Sequence, residues 1–248
     1  MSVISTSTCN NSCSCLKSDV MTQPFPRSGH LFNNRDRALK DLRQSKLPDG
    51  KVFTYVLSSV EVVDGRFIQY GCAPNFQGGL ITLCTCMHYH RTWWKSWLGV
   101  WVAGFCGINN PGGNQLFYLM RVSNEFLNQY ELWQSPTMRA SREAKSARHQ
   151  IFGDVYQPQI KADDQPYNPD MYFAPREGHR HHRTSGDDNW HDDIYYRDSR
   201  RPNAPPKLLV GDSRYSFLWA TPRCSFTGKQ HPRCKVYPTL GAFMDELK

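Results

Sequence analysis

Residues 70–122 (YGCAPNFQGGLITLCTCMHYHRTWWKSWLGVWVAGFCGINNPGGNQLFYLMRV) constrain the fold more than any other stretch of the chain. They hold the densest apolar material, including Cys72, Cys84, Cys86 and Cys106 and Trp93, Trp94, Trp97 and Trp101. Runs of β-branched and aromatic residues read as buried strands. Between those runs stand Asn75, Gln77, His88, His90 and Arg91. Convergent polar side chains set among buried strands are the pattern of a ligand pocket.

The rest of the chain dilutes this core. A length of 248 residues suffices for one sizeable domain, and a hydrophobic content of 39%, with 16 Pro and 17 Gly, points to long polar loops around it. Residues 1–25 are rich in Ser, Thr and Asn and read as a disordered tail. Residues 26–248 read as a single domain with a polar insertion near 139–190. Cys9, Cys13 and Cys15 in the tail lack the fourth ligand a zinc knot needs. No apolar run reaches membrane-spanning length; the best, residues 97–106, is far too short. The first residues lack a basic segment followed by an apolar one, so the expected location is cytoplasmic. Nine cysteines then default to reduced thiols. A net charge of +8 favours an anionic partner, nucleic acid or nucleotide before others, and no membrane.

Taken in order, NNRDRALKDLRQSK predicts a short helix with Asn34 or Asp36 as its cap, stopped at Pro48-Asp49-Gly50. Residues 51–63 predict the first strand, Asp64-Gly65 a hairpin turn, and residues 66–70 its return. A Gly- and Pro-rich loop follows at 71–79, then strands at 80–87, 100–105 and 116–122. Ser123 is expected to cap a helix over SNEFLNQYELW. Arg139, Arg142, Lys145 and Arg148 would form a basic helical stripe suited either to phosphates or to water. Residues 193–196, 207–210 and 215–219 read as short strands, and 239–247 as a closing helix.

Three constellations carry possible chemistry. Residues 178–193 (GHRHHRTSGDDNWHDD) gather His179, His181, His182, His191 and four aspartates, metal-ligand types without a metal-site spacing. Cys86, His88 and His90 alternate along one expected strand face, and a cysteine nucleophile needs a nearby base and a lowered pKa. Trp93, Trp94, Trp97 and Trp101 beside His90, Arg91 and Lys95 match the aromatic and cationic mix that holds unstacked bases. There is no P-loop, dinucleotide-binding glycine pattern, nucleophile elbow or zinc-deaminase signature.

Read together, FTYVL (53–57), CAPNF (72–76), GLITLCTC (79–86), HRT (90–92), GVWVAG (99–104), LFYLMRV (116–122), DDIYY (192–196) and KLLVGDSRYSFLW (207–219) resemble the nucleotide modification associated domain 2 family. The resemblance spans about residues 50–220 in order, with a long insertion. It implies a protein of nucleic-acid base hypermodification, working beside other base-modification enzymes, whose own chemistry and cofactor are open. It also implies pocket residues at Asn75, Cys86, Arg91, Trp101, Asp193, Tyr195 and Tyr196. Cys86 and Asp193 are the catalytic candidates. Asn75, His90, Arg91, Trp101, Tyr195 and Tyr196 are the binding candidates, with Arg91 on phosphate or a base edge and Trp101 or Tyr195 stacked on the base. Where the family carries Gly-Asp-Trp this chain has Gly99-Val100-Trp101, one carboxylate fewer.

The expected fold is α+β, with a central, mostly antiparallel, barrel-like sheet similar to the PUA and EVE barrels, a few flanking helices and long polar loops. Two functional rivals stand beside base modification. One is a non-catalytic reader of modified bases. The other is a metal-dependent enzyme using His179, His181, His182 and His191.

Overall fold

Strand β6, Trp101–Cys106, is buried at all six positions. A strand apolar on both faces has to lie inside a sheet covered on both sides. In the computed structural model, which describes residues 23–24, 36–70, 74–107, 112–148, 154–159, 162–174, 190–195, 205–228 and 231–248, it does.

The remaining strands are β1 (Gln23–Pro24), β2 (Val52–Leu57), β3 (Val60–Val63), β4 (Arg66–Gln69), β5 (Thr82–Leu83), β7 (Leu116–Phe126), β8 (Leu208–Leu218) and β9 (Val236–Tyr237). Five of them join β6 in a mixed sheet of order β5-β8-β7-β6-β2-β9. The β2–β6 pair is parallel, Val52 facing Trp101 and Tyr55 facing Gly104; the other neighbours are antiparallel. A parallel pair needs a long crossover. Residues 58–100 supply it, and they carry most of the polar residues singled out in the sequence. Within the crossover, β3 and β4 join β1 in a second, antiparallel sheet of order β1-β4-β3. Asp64 and Gly65, both at positive φ, make its hairpin turn.

The helices are short: α1 (Leu39–Gln44), α2 (His88–Arg91), α3 (Gln129–Gln134), α4 (Arg139–Arg148), α5 (His191–Ile194) and α6 (Leu240–Met244). The fold is therefore α+β, but the sheet is open. Its edges, β5 and β9, are two residues each and not paired with one another, so the barrel-like closure is not formed by the described residues.

Several local expectations are corrected. Ser123 caps no helix, because Asn124, Glu125 and Phe126 stay in β7 opposite Val210, Leu209 and Leu208. The cap moves to Asn128, whose side chain accepts the Glu131 N–H at 2.8 Å. Residues 208–218 make one long strand; its bulge at Asp212, with Ser213 and Arg214 exposed, produced the look of two. In place of the strand expected at 193–196, Asp193 and Ile194 belong to α5, and Tyr196 lies outside the described residues. The strand expected at 80–87 shrinks to β5: the chain bends from Cys84 on, and Met87, in left-handed backbone at φ 59°, leads it into α2. Ala38 rather than Asn34 or Asp36 precedes α1, while the Asp36 carboxylate accepts the Ala220 N–H. Gln23 and Pro24, placed in the tail by composition, pair with Gln69 and Ile68. Cys9, Cys13 and Cys15, and residues 149–153, 160–161 and 175–189 of the insertion, lie outside the described residues.

Candidate functional site

Asp154, fully buried, stitches the site's first wall. Its carboxylate accepts the Thr82 hydroxyl at 2.5 Å and the Cys84 backbone N–H, which continues β5 where no further strand pairs with it. Gln129 of α3 fixes this segment at both ends. Its amide donates to the Asp154 carbonyl at 2.8 Å and accepts the Tyr156 N–H at 3.1 Å.

The Tyr156 hydroxyl then donates to Asp193 Oδ2 at 2.9 Å, while Asp193 Oδ1 lies 3.4 Å from His88 Nε2. The Asp193 side chain is fully buried, and that of His88 is 15% exposed. A carboxylate buried between a phenol and an imidazole holds both rings in place. Trp190, just ahead of α5, packs on Tyr156 with ring centroids 5.6 Å apart and keeps the helix in position.

Arg91 occupies the centre of the second wall. Its guanidinium donates to the carbonyls of Cys84 at 2.7 Å, Cys86 at 2.8 Å and Lys207. The β5–α2 turn is thus strapped to the start of β8. Burial pulls Arg91 below the ordinary arginine range, while nearby Cys84 and Asp154 pull it back. Arg91, expected on phosphate or a base edge, is wholly inaccessible here and braces the turn that carries Cys86.

Cys86 lies in the field of Asp193, Asp154 and Arg91. Burial above all, and then the two carboxylates, push its thiol up to about 12. At neutral pH it is therefore a protonated thiol, the opposite of the activated thiolate that the sequence pattern invited. The linkage sign follows. Below about pH 9 the thiol keeps its proton in both folded and unfolded chains, and this contribution to stability is whole. Between 9 and 12 only the unfolded chain releases it, so stability falls as pH rises. Cys86→Ala removes that part of the decline in urea midpoints measured across this window. Alkylation of Cys86 by iodoacetamide is correspondingly slow at pH 8 and still climbing at pH 11.

Beneath Cys86 the sheet contributes two phenols. Tyr55 and Tyr118 face opposite sides of Gly104 in register, and their hydroxyls meet at 2.5 Å. Burial holds both well above the ordinary phenol range.

All of these residues fall in one matched span. The family model for nucleotide modification associated domain 2 covers residues 50–213, from β2 into the middle of β8. The chain belongs to the nucleotide modification associated domain 2 family. No curated protein and no solved structure matches it. Family membership connects the chain with nucleotide modification and leaves its reaction open.

The family span brings only some of the sequence-derived site residues together. Half-buried Cys86 and the buried Arg91 and Asp193 share one cluster. Asn75 stands beside it, bridged through its backbone to Thr82. His90 points away, its ring 4.5 Å from Trp93, with burial and then Arg233 lowering its pKa. Trp101 is fully buried, its indole N–H donating to the Pro48 carbonyl and its ring stacked on Phe217, so neither ring face is open to a base. Tyr195, 46% exposed, lines a 520 Å³ groove with Tyr167, His191 and Asp192 on the other side of α5. Two residues apart on a helix point to nearly opposite sides, which separates Tyr195 from Asp193. Tyr196, His179, His181 and His182 lie outside the described residues. Among the described residues no group of three or more His, Cys, Asp or Glu is placed to hold a metal ion, and no helix is long and apolar enough to cross a membrane.

Sequence reasoning missed Asp154, Tyr156, Gln129, Tyr55 and Tyr118. Asp154 and Tyr156 sit in a loop segment without periodicity. The two tyrosines become neighbours only once β2, β6 and β7 are ordered.

Proposed function

We propose that the chain modifies a nucleic-acid base or nucleotide held against Cys86, His88 and Asp193. The observation that carries this reading is the fully buried Asp193 carboxylate shared by the His88 imidazole and the Tyr156 hydroxyl. Cys86 is the nucleophile. His88 takes its proton as the base approaches, and Asp193 stabilises the imidazolium formed. Tyr156 and Arg91 are positioning residues, the first for Asp193 and the second for the turn that carries Cys86. Asn75 is the proposed base contact, while Tyr195 offers a stacking ring in the neighbouring groove. Other base-modification enzymes would supply or consume the product, as the family's name implies.

The high proton affinity of Cys86 favours a second reading, a pocket that recognises a modified base without turning it over. The two separate by experiment. Normal and modified nucleotides are titrated into the protein and then followed for turnover. For an enzyme, His88→Ala lowers turnover roughly 10²–10⁴-fold, the usual contribution of a general base, with binding changed far less. Saturable binding of a modified nucleotide with no turnover, unaltered by Cys86→Ser, assigns the reader. Unchanged nucleotide binding and turnover in Asp193→Asn would remove the site altogether.

A further inference from the structure

Helix α2 has a second face. While His88 turns inward to Asp193, the half-buried rings of Tyr89, His90, Trp93 and Trp94 gather on the outer side. Tyr89 and His90 lie 5.6 and 4.5 Å from Trp93, centroid to centroid. Phe53 backs this group from below, at 5.5 Å from His90, 6.2 Å from Trp93 and 6.1 Å from Trp94. The buried Trp97 supports Trp94 at 4.4 Å. The rings are therefore held by a rigid floor, with part of each left at the surface.

Cations reach this platform from three separate stretches of chain. Exposed Lys51, just ahead of β2, places its Nζ 6.0 Å over the Trp94 ring. Exposed Lys95 follows Trp94 directly. Exposed Arg233, just ahead of β9, is close enough to disfavour protonation of His90. The nearby carboxylate of Glu125 is already engaged, accepting the Trp97 N–H at 2.6 Å and facing Lys207. Half-exposed aromatic rings framed by lysine and arginine match a strand of unstacked bases, since every base has a face to stack and every nucleotide a phosphate. A paired duplex buries those faces.

We propose that this outer face of α2 is a track for a single strand of nucleic acid, with bases on Trp93, Trp94 and Tyr89 and phosphates on Lys51, Lys95 and Arg233. Resting on the functional reading above, it specifies the substrate as a polymer in single-stranded form. One nucleotide passes across α2 to His88 while its neighbours stay on the platform. A base must leave its stack before chemistry can reach it, and a single strand meets that demand at least cost.

The test uses the full chain with a fluorescent 12-nucleotide oligothymidylate, the corresponding duplex and free thymidine monophosphate, over a salt series. The single strand is expected to bind at least tenfold more tightly than the duplex. Three phosphate contacts give a slope of log affinity against log salt of about −2, and Lys51→Gln/Lys95→Gln reduces it by about 1.4. Trp93→Ala weakens the strand roughly tenfold or more. Because that change touches packing, the lysine pair, both exposed, keeps the result readable if the tryptophan variant misfolds. Arg139→Gln, an exposed cation on α4, leaves the slope unchanged. Equal affinity for duplex and strand, or a slope that responds to Arg139 and not to the lysines, overturns the track. Outcomes for the two sites are separable. Loss of mononucleotide turnover in His88→Ala without strand binding removes only the track. Strand binding with indifference to His88→Ala removes only the inner site.

Discussion

Arg91→Ala is expected to cost about 3–5 kcal/mol of folding stability, the range for leaving a buried ionic network with one partner removed. In urea titration the midpoint falls far below that of the wild type. The side chain is fully buried, and its guanidinium satisfies the carbonyls of Cys84, Cys86 and Lys207 together. Removing it strands three acceptors, at about 1–3 kcal/mol for each that water does not reach. It also removes a positive charge that interacts with Asp154 and Asp193. Domains of this kind are stable by only about 5–15 kcal/mol, so the variant sits near the edge of folding. Arg91→Lys recovers only part of the loss, because a single ammonium cannot span carbonyls that a planar fork reaches in three directions. Any loss of nucleotide binding in Arg91→Ala is then a consequence of unfolding, and refolding conditions such as osmolyte restore it. A variant that melts like the wild type yet no longer binds nucleotide would return Arg91 to the role the sequence had suggested, a direct phosphate or base contact.

That contrast shows where the sequence was legible. The strand cores could be read because a run such as WVAGFC can only be buried on both faces, and Asp64-Gly65 because few dipeptides adopt that turn. The importance of residues 70–122 was equally clear, since polar side chains inside apolar strands need partners. What those partners are was not. Arg91 reads as a free cation beside tryptophans until the carbonyls of residues 84, 86 and 207 converge on it. Cys86 and His88 share a face on paper only while the strand is assumed to continue, whereas it ends at Leu83, and Met87 in left-handed backbone leads the chain into α2. Trp101 reads as a stacking platform from its place in the series Trp93, Trp94, Trp97 and Trp101, whereas parallel pairing with β2 puts it inside the sheet. Asp193 was identified through the family resemblance, but its partner Tyr156 comes from a segment without pattern. Side-chain chemistry set by tertiary register leaves no periodic trace.

Gly104→Ala is the substitution expected to do most damage for the fewest atoms, roughly 3 kcal/mol or more by overpacking and loss of a buried hydrogen bond. A methyl group there would lie 2.3 Å from Tyr118 Cε1 and 2.6 Å from Cδ1. The ring has no easy retreat. Phe117 packs on it at 5.1 Å, and its hydroxyl is bonded to Tyr55 at 2.5 Å. Relief requires either β6 to shift against β7, where the ladder already slips at Gly104, or the two phenols to part. Tyr118→Phe separates these costs, since it removes only the hydroxyl contact and is expected to lose about 1–2 kcal/mol. In a Tyr118→Ala background the Gly104 substitution becomes much milder, because the ring it strikes is gone, and the double-mutant cycle measures the coupling directly. The same displacement reaches the site. Tyr55 lies in the electrostatic reach of Cys86 and Asp154, so a shifted phenol pair admits water beneath the thiol. Burial is the main cause of the raised Cys86 pKa, and Gly104→Ala should therefore speed alkylation of Cys86 at pH 8 while Tyr118→Phe changes it little. If Gly104→Ala destabilises the protein but leaves alkylation of Cys86 untouched, the phenol pair is a feature of the sheet alone and the floor of the site lies elsewhere.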